Sequence, residues 1–233
     1  MKRVYKTVAV AEGENGFAVH LDGRTVRSPA RRDLILPNRA LAEAVAAEWD
    51  AQAESIDPRT MPFMSLVATA ADRVEIQRDH VIETIAGYAG SDMLCYRAEE
   101  PADLVRRQNE IWDPLLDWTA DALGARLRVT TGIMPVRQDE AALNAIQSVV
   151  AGYEPLAMTA LHEITSIAGS VVIGLAVTEG YIDADAGVAA AQLDETFQIE
   201  QNGEEEEAVE RLANLRADLL AAAEFLRLSR AWN

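Results

Sequence analysis

From Ile164 to Thr178 the chain runs fifteen residues without a charge, bounded by Glu163 and Glu179. A run of this kind has to leave water, yet it falls short of the roughly 20 apolar residues that span a bilayer. It therefore demands a protein interior, and no membrane insertion is expected. Its Ala, Ser and Gly content suits close packing, and the spacing predicts one helix over Pro155 to Glu179, stopped by Gly180, as the core of the second half of the chain.

The first forty residues follow a different period. Phe17-Ala18-Val19-His20-Leu21 alternates, and Asp22-Gly23 is the pair favoured where a type I′ turn needs positive φ. Thr25-Val26 starts the return strand, and Leu34-Ile35-Leu36 offers a third strand ending at Pro37. Asn38 is then a suitable N-cap for a helix over Arg39 to Ala53, with Leu41, Val45, Ala46 and Trp49 on its inner face. Helices dominate afterwards: His80 to Tyr88, Pro101 to Gly124 with a restart or kink at Pro114, and Asp139 to Tyr153. Two more follow, from Asp183 through Phe197 and from Glu204 to Leu228, and Arg126 to Thr131 reads as an isolated strand. Composition shifts near residue 55. The expectation is an α+β protein, with a small N-terminal β-rich domain (1–55) ending in a helix and a larger α-helical domain (56–233).

Charge narrows the partners. With 38 acidic against 21 basic residues the net charge is −17, which excludes the electrostatic footprint of a nucleic-acid binder and disfavours an anionic membrane surface. A basic protein partner fits, although a negative net charge also simply aids solubility. The single cysteine, Cys95, suits a reducing compartment. Lys2, Arg3 and Lys6 precede no apolar signal core, so a bacterial cytoplasm is expected, with a processed mitochondrial matrix form as the counterpart.

Catalytic signatures are sparse. His20, His80 and His162 fall on separate elements, and His162-Glu163 lacks the second histidine of a zinc-protease helix, so no metal and no cofactor is expected. Met93, Leu94 and Tyr96 around Cys95 suggest a packed element, not a nucleophile. Trp112 and Trp118, flanking Asp113-Pro114, read as a core corner. The one enzymatic alternative is an anion site gathered from Arg97, Arg106 and Arg107. More conspicuous is the stretch from Asp183 to Glu210, which holds ten acidic residues and no basic one. Glutamates after Gly203 suit the positive end of the last helix. Asp194, Glu195 and Glu200 fit either a solvated helix face or a contact surface.

Several linked motifs carry a resemblance. They are Leu21-Asp22-Gly23-Arg24 with Ser28-Pro29-Ala30, Glu48-Trp49-Asp50-Ala51-Gln52, Met61-Pro62, Ser91-Asp92-Met93-Leu94-Cys95-Tyr96-Arg97-Ala98, Arg107-Gln108 with Trp112-Asp113-Pro114, and Asp194-Glu195 with Phe197-Gln198. In this order the chain resembles the assembly chaperones for the alpha subunit of the F-type ATP synthase catalytic sector. The resemblance implies a non-catalytic protein, monomeric when free, that binds the free alpha subunit and shields its interface until beta arrives. It also implies partner-binding residues in the late helical segment, at Asp194 and Glu195 near Gln198, with Glu200 on the same acidic stretch. The chain departs from the family where Asn202-Gly203 stands in place of Trp-Gly.

Overall fold

The computed structural model describes residues 2–132, 134–203 and 205–230, and within them the chain forms two compact units. The first takes the chain up to Arg78, with Glu154–Ala160 and the residues from Ala221 onward. The second takes Asp79–Tyr153 and Leu161–Leu220. Ser55 and Ile56, at the composition shift, both lie in the first unit.

The first unit opens with an antiparallel sheet of β1 (Val8–Gly13), β2 (Gly16–Leu21) and β3 (Arg24–Thr25), in that order. The expected Asp22-Gly23 turn joins β2 to β3, with φ of 48° and 79°, as a type I′ turn needs. The Asp22 carboxylate also accepts the amides of Lys6 at 3.1 Å and Thr7 at 2.9 Å, and these donors hold its carboxyl below the usual range. The partner on the other edge, β1, escaped the pattern reading because Val8-Ala9-Val10-Ala11 does not alternate in polarity. Leu34-Ile35-Leu36 makes no full strand: Leu36 forms an isolated bridge with Phe17, and the Leu34 amide donates to the Val26 carbonyl at 3.4 Å. Gly16 permits that approach, since a Cβ there would lie 2.3 Å from the Leu36 carbonyl oxygen.

Helix α1 (Arg39–Asp50) lies against β1 and β2, and its Leu41, Ala42 and Val45 are buried. Asn38 caps it as expected, accepting the Leu41 amide at 2.9 Å. Trp49 is only half-buried, in a satellite cluster with Tyr5, Ile56 and Met61. Its neighbour Glu48 caps α2 (Pro62–Thr69), accepting the amides of Phe63 and Met64, each at 2.7 Å. Burial pushes the Glu48 carboxyl up to about 7 against the pull of those two amides. Gln52 accepts the Asp57 amide and donates to the Glu48 carbonyl and the Thr60 hydroxyl. The segment from Glu48 to Gln52 is thus a joint between helices.

The second unit carries α3 (Arg78–Gly87), α4 (Ala102–Leu123), α5 (Glu140–Ala151) and the later parts of α6 (Pro155–Ala168). It continues with α7 (Val171–Thr178), α8 (Ala184–Ala191), α9 (Leu193–Asn202) and the first part of α10 (Glu206–Ser229). The strand read near Arg126 finds a partner: β5 (Thr130–Thr131) pairs in parallel with β4 (Tyr96–Arg97). Gly124, with φ of 68°, ends α4 as expected, and Pro114 sits inside that helix.

The charge-free run is not one helix. Gly169 turns into the left-handed region with φ of 64°, and Ser170 restarts the chain as the N-cap of α7, accepting the Ile173 amide at 3.0 Å. Every residue of α7 is buried. A second cap arrives from 80 residues away in sequence: the fully buried Asp92 accepts the Val172 amide at 3.1 Å with one oxygen and the Leu94 amide at 3.1 Å with the other. Burial pushes the Asp92 carboxyl up to about 6, while the Ser170 hydroxyl and the amides of Val172, Leu94 and Val171 pull it back. Gly174 lets α7 approach α6 closely, since a Cβ there would lie 2.3 Å from the Thr165 hydroxyl oxygen. The run from Asp183 through Phe197 is likewise split, at Gln192, whose side-chain amide donates to the Leu212 carbonyl at 2.8 Å.

Asp92→Asn turns an NH2 group toward amide donors and should destabilise the protein by about 1–3 kcal/mol at neutral pH, measured by denaturant unfolding. Because the folded-state carboxyl lies above its ordinary 3.8, its protonation adds to these amide contacts a stability that is full below that value and is lost as pH rises through about 6. The gap between wild type and Asp92→Asn should therefore widen as pH is lowered from 7 toward 4. Gly174→Ala should cost about 1–3 kcal/mol through overpacking. Gly90→Ala, with nothing within 4 Å of the added methyl, should stay within about 0.5 kcal/mol in the same melting assay.

Candidate partner-binding site

The acidic stretch resolves into short helices with distinct jobs. Asp183 caps α8, accepting the Ala186 amide at 2.8 Å. Asp194 and Glu195 fall in the first turn of α9, where the unpaired amides of a helix start favour negative charge. Glu204 lies outside the described residues, and Glu206 and Glu207 open α10.

The four residues singled out from sequence divide into two kinds. Asp194 is half-buried and accepts the side-chain amide of Gln108 at 2.8 Å, while Gln108, 1% exposed, uses its oxygen to accept the Ala98 amide at 2.9 Å. Glu200 pairs with Arg107 at 2.7 Å, and the same guanidinium lies 5.1 Å over the buried Phe197 ring. These two acids fasten α9 to α4. Glu195 and Gln198 border open space. Glu195 stands at a cleft of about 530 Å³ whose wall includes Met93, Tyr96, Ile167, Ala191 and Leu215. With Gln198, Asn202 and Arg211 it also borders a shallower cleft of about 150 Å³.

Sequence reasoning missed the larger cleft. Met93 and Tyr96 belong to the motif around Cys95, but Ile167, Ala191 and Leu215 carry no motif and come from three different helices. Gln108 was legible only as a motif member. It joins two helices because a buried amide needs both its donor and its acceptor satisfied.

The arginines do not gather. Arg97, 6% exposed, pairs with Asp113 at 2.8 Å, donates to Asn109 at 3.2 Å and lies 5.2 Å over the Trp112 ring. Arg106 is held between Asp103 and Glu110, and Arg107 between Asp103 and Glu200. Each guanidinium already faces the chain's own carboxylates, so no shared anion cradle is formed. Cys95 is fully buried, and burial pushes its thiol up to about 12, far from a nucleophilic thiolate at neutral pH. Trp112 is a core residue whose indole donates to the Ala190 carbonyl at 2.9 Å, and Trp118 stacks on Tyr181 with ring centroids 5.0 Å apart. Among the described residues, no group of three or more His, Cys, Asp or Glu stands close enough to hold a metal, and no helix is long and apolar enough to cross a membrane.

Comparison with known proteins agrees with this architecture. The structure superposes on the crystal structure of Atp12 from Paracoccus denitrificans with a TM-score of 0.91, at 42% identity over 98% of each chain. The mitochondrial protein atp12 of Schizosaccharomyces pombe is 24% identical, over 90% of this chain and 76% of the relative. The mitochondrial ATP12 of Saccharomyces cerevisiae is 24% identical, over 82% of this chain and 72% of the relative. The family model described as ATP12 chaperone protein matches residues 2–120. A mixed fold with a small N-terminal sheet followed by helices, a matched family model and a near-complete structural superposition together place this chain in the ATP12 family of ATP synthase assembly chaperones.

Proposed function

We propose that this chain binds the free alpha subunit of the ATP synthase catalytic sector, covers the interface that alpha will present to beta, and catalyses no reaction. The observation that carries the reading is the edge of α9, where Glu195 and Gln198 border open clefts on an acidic stretch without a cation of its own. An unpaired subunit exposes a large, partly apolar surface that aggregates, and a transient cover keeps it soluble. The proposed contact set is Asp194, Glu195, Gln198 and Glu200. Within it, Glu195 and Gln198 meet the partner directly, and Asp194 and Glu200 fix the helix that presents them. The enzyme alternative through Arg97, Arg106 and Arg107 has no support in the geometry, since internal acids occupy all three. Bacterial and mitochondrial relatives favour action in the bacterial cytoplasm or the mitochondrial matrix, and the free protein is proposed to be a monomer.

Expressing alpha and beta separately with this chain tests the reading: alpha should stay soluble and co-purify, and beta should not. Capture of neither subunit would overturn it. Charge reversal separates the two kinds of acid. Glu195→Lys should weaken alpha capture and cost no more than about 1 kcal/mol, the worth of a charge at a helix start. Asp194→Lys should lose capture and also cost about 1–3 kcal/mol, because it leaves the buried Gln108 amide unpaired. Thermal melts run beside the pull-down check both.

A further inference from the structure

Within the second unit, a cleft of about 530 Å³ opens beside α9, and the group that enters it has not yet been named. That volume sits inside the roughly 300–1,000 Å³ range of pockets that enclose a bound group. Its floor includes the buried side chains of Val188, Leu212 and Leu219, and its rim is made by half-buried Met93, Tyr96, Ile167 and Leu215. Ser91, Ser166 and Gln192 share the lining with these apolar side chains, and the methionine at its edge accepts side chains of varied shape, because the unbranched thioether adapts. No Lys, Arg or His lines the cleft, whereas Asp194 and Glu195 do. Asp194 is anchored by Gln108, and Glu195 stands at the junction with the second, shallower cleft.

A hollow that is apolar along Met93, Tyr96, Ile167 and Leu215 and carries a carboxylate at its mouth selects a composite group. The hollow removes an aliphatic or aromatic side chain from water, and the low-dielectric wall beside Glu195 strengthens its attraction for a cation. We propose that this cleft receives a large apolar side chain of the partner with a lysine or arginine close to it, the apolar group entering between Met93, Tyr96, Ile167 and Leu215 and the cation meeting Glu195. The proposal rests on the reading of the chain as a chaperone for the alpha subunit and names the recognition element on that partner. A second copy of this chain is a poorer occupant, because each copy carries a net charge of −17 and the approaching surfaces repel. An acidic partner segment would meet Asp194 and Glu195 at this rim, whereas the nearby Arg211 lines only the shallower cleft.

Ala191→Phe fills the cleft from the end of α8, and Ser166→Tyr fills it from the exposed end of α6 should the first variant not fold. Glu195→Lys reverses the rim, and Glu83→Lys, on the exposed face of α3, controls for net charge. In pull-downs with purified alpha, the filling variant and Glu195→Lys should each weaken capture by roughly tenfold or more, as expected when a central anchor is lost, and Glu83→Lys should not. Among overlapping peptides of alpha, those retained by wild type and released by the filling variant should carry an apolar residue next to Lys or Arg. Capture of alpha by wild type that survives both the filled cleft and the reversed rim would overturn this proposal and leave the chaperone reading standing. Failure of wild type to capture alpha at all would overturn the chaperone reading. Retained peptides lacking a basic residue, or a dimer that the filling variant splits, would also refute the proposal.

Discussion

A single buried carboxylate organises the second unit. Asp92 holds the turn Met93–Cys95 at one oxygen and the start of α7 at the other, so two segments far apart in sequence share one cap. A buried charge is tolerable only when its hydrogen-bonding capacity is met, and here backbone amides and the Ser170 hydroxyl meet it. From that anchor a polar relay runs outward. Arg97 ties the turn to α4 through Asn109 and Asp113, and Gln108 carries the tie from Ala98 to Asp194 on α9. The acids that face the clefts are therefore positioned by hydrogen bonds that begin in the core.

This relay explains why acids adjacent on one helix differ in role. Asp194 and Glu200 have internal partners that fix α9, whereas Glu195 borders both clefts. Crowding of like charge along the stretch is tolerable where helix starts and single arginines offset it, as Arg107 does for Glu200 and Arg216 does for Asp185. An acidic rim is then available to a partner without a buried, unpaired charge in the free protein. The same logic holds in the first unit, where Glu48 and Gln52 join helices and touch no candidate site.

Much of the fold was legible in the sequence because its signals are local. The Asp22-Gly23 turn, the Asn38 cap, the Gly124 and Gly180 stops and the switch from period two to period 3.6 each depend on a few neighbouring residues, and each lies where the residue chemistry puts it. The acidic stretch and the motifs also marked α9 as a place of interest. The helix breaks at Gly169-Ser170 and Gln192 were not legible as breaks. Glycine and serine inside an apolar run also suit close packing, and glutamine is an ordinary helix residue, so the breaks show only once Gly169 turns left-handed with Ser170 and Asp92 capping α7, and once the Gln192 side chain donates to the Leu212 carbonyl.

The sequence by itself determined an acidic chain with a β hairpin followed by helices, a buried charge-free core segment, and a motif set belonging to one chaperone family. Tertiary structure alone decided which acids are structural, that the three arginines are neutralised by their own chain, and that a cleft opens beside Glu195. The physical reason is range: turns and caps are set by dihedral preferences within a few residues, whereas the pairing of a buried carboxylate or amide depends on which distant donor packing brings within hydrogen-bonding distance.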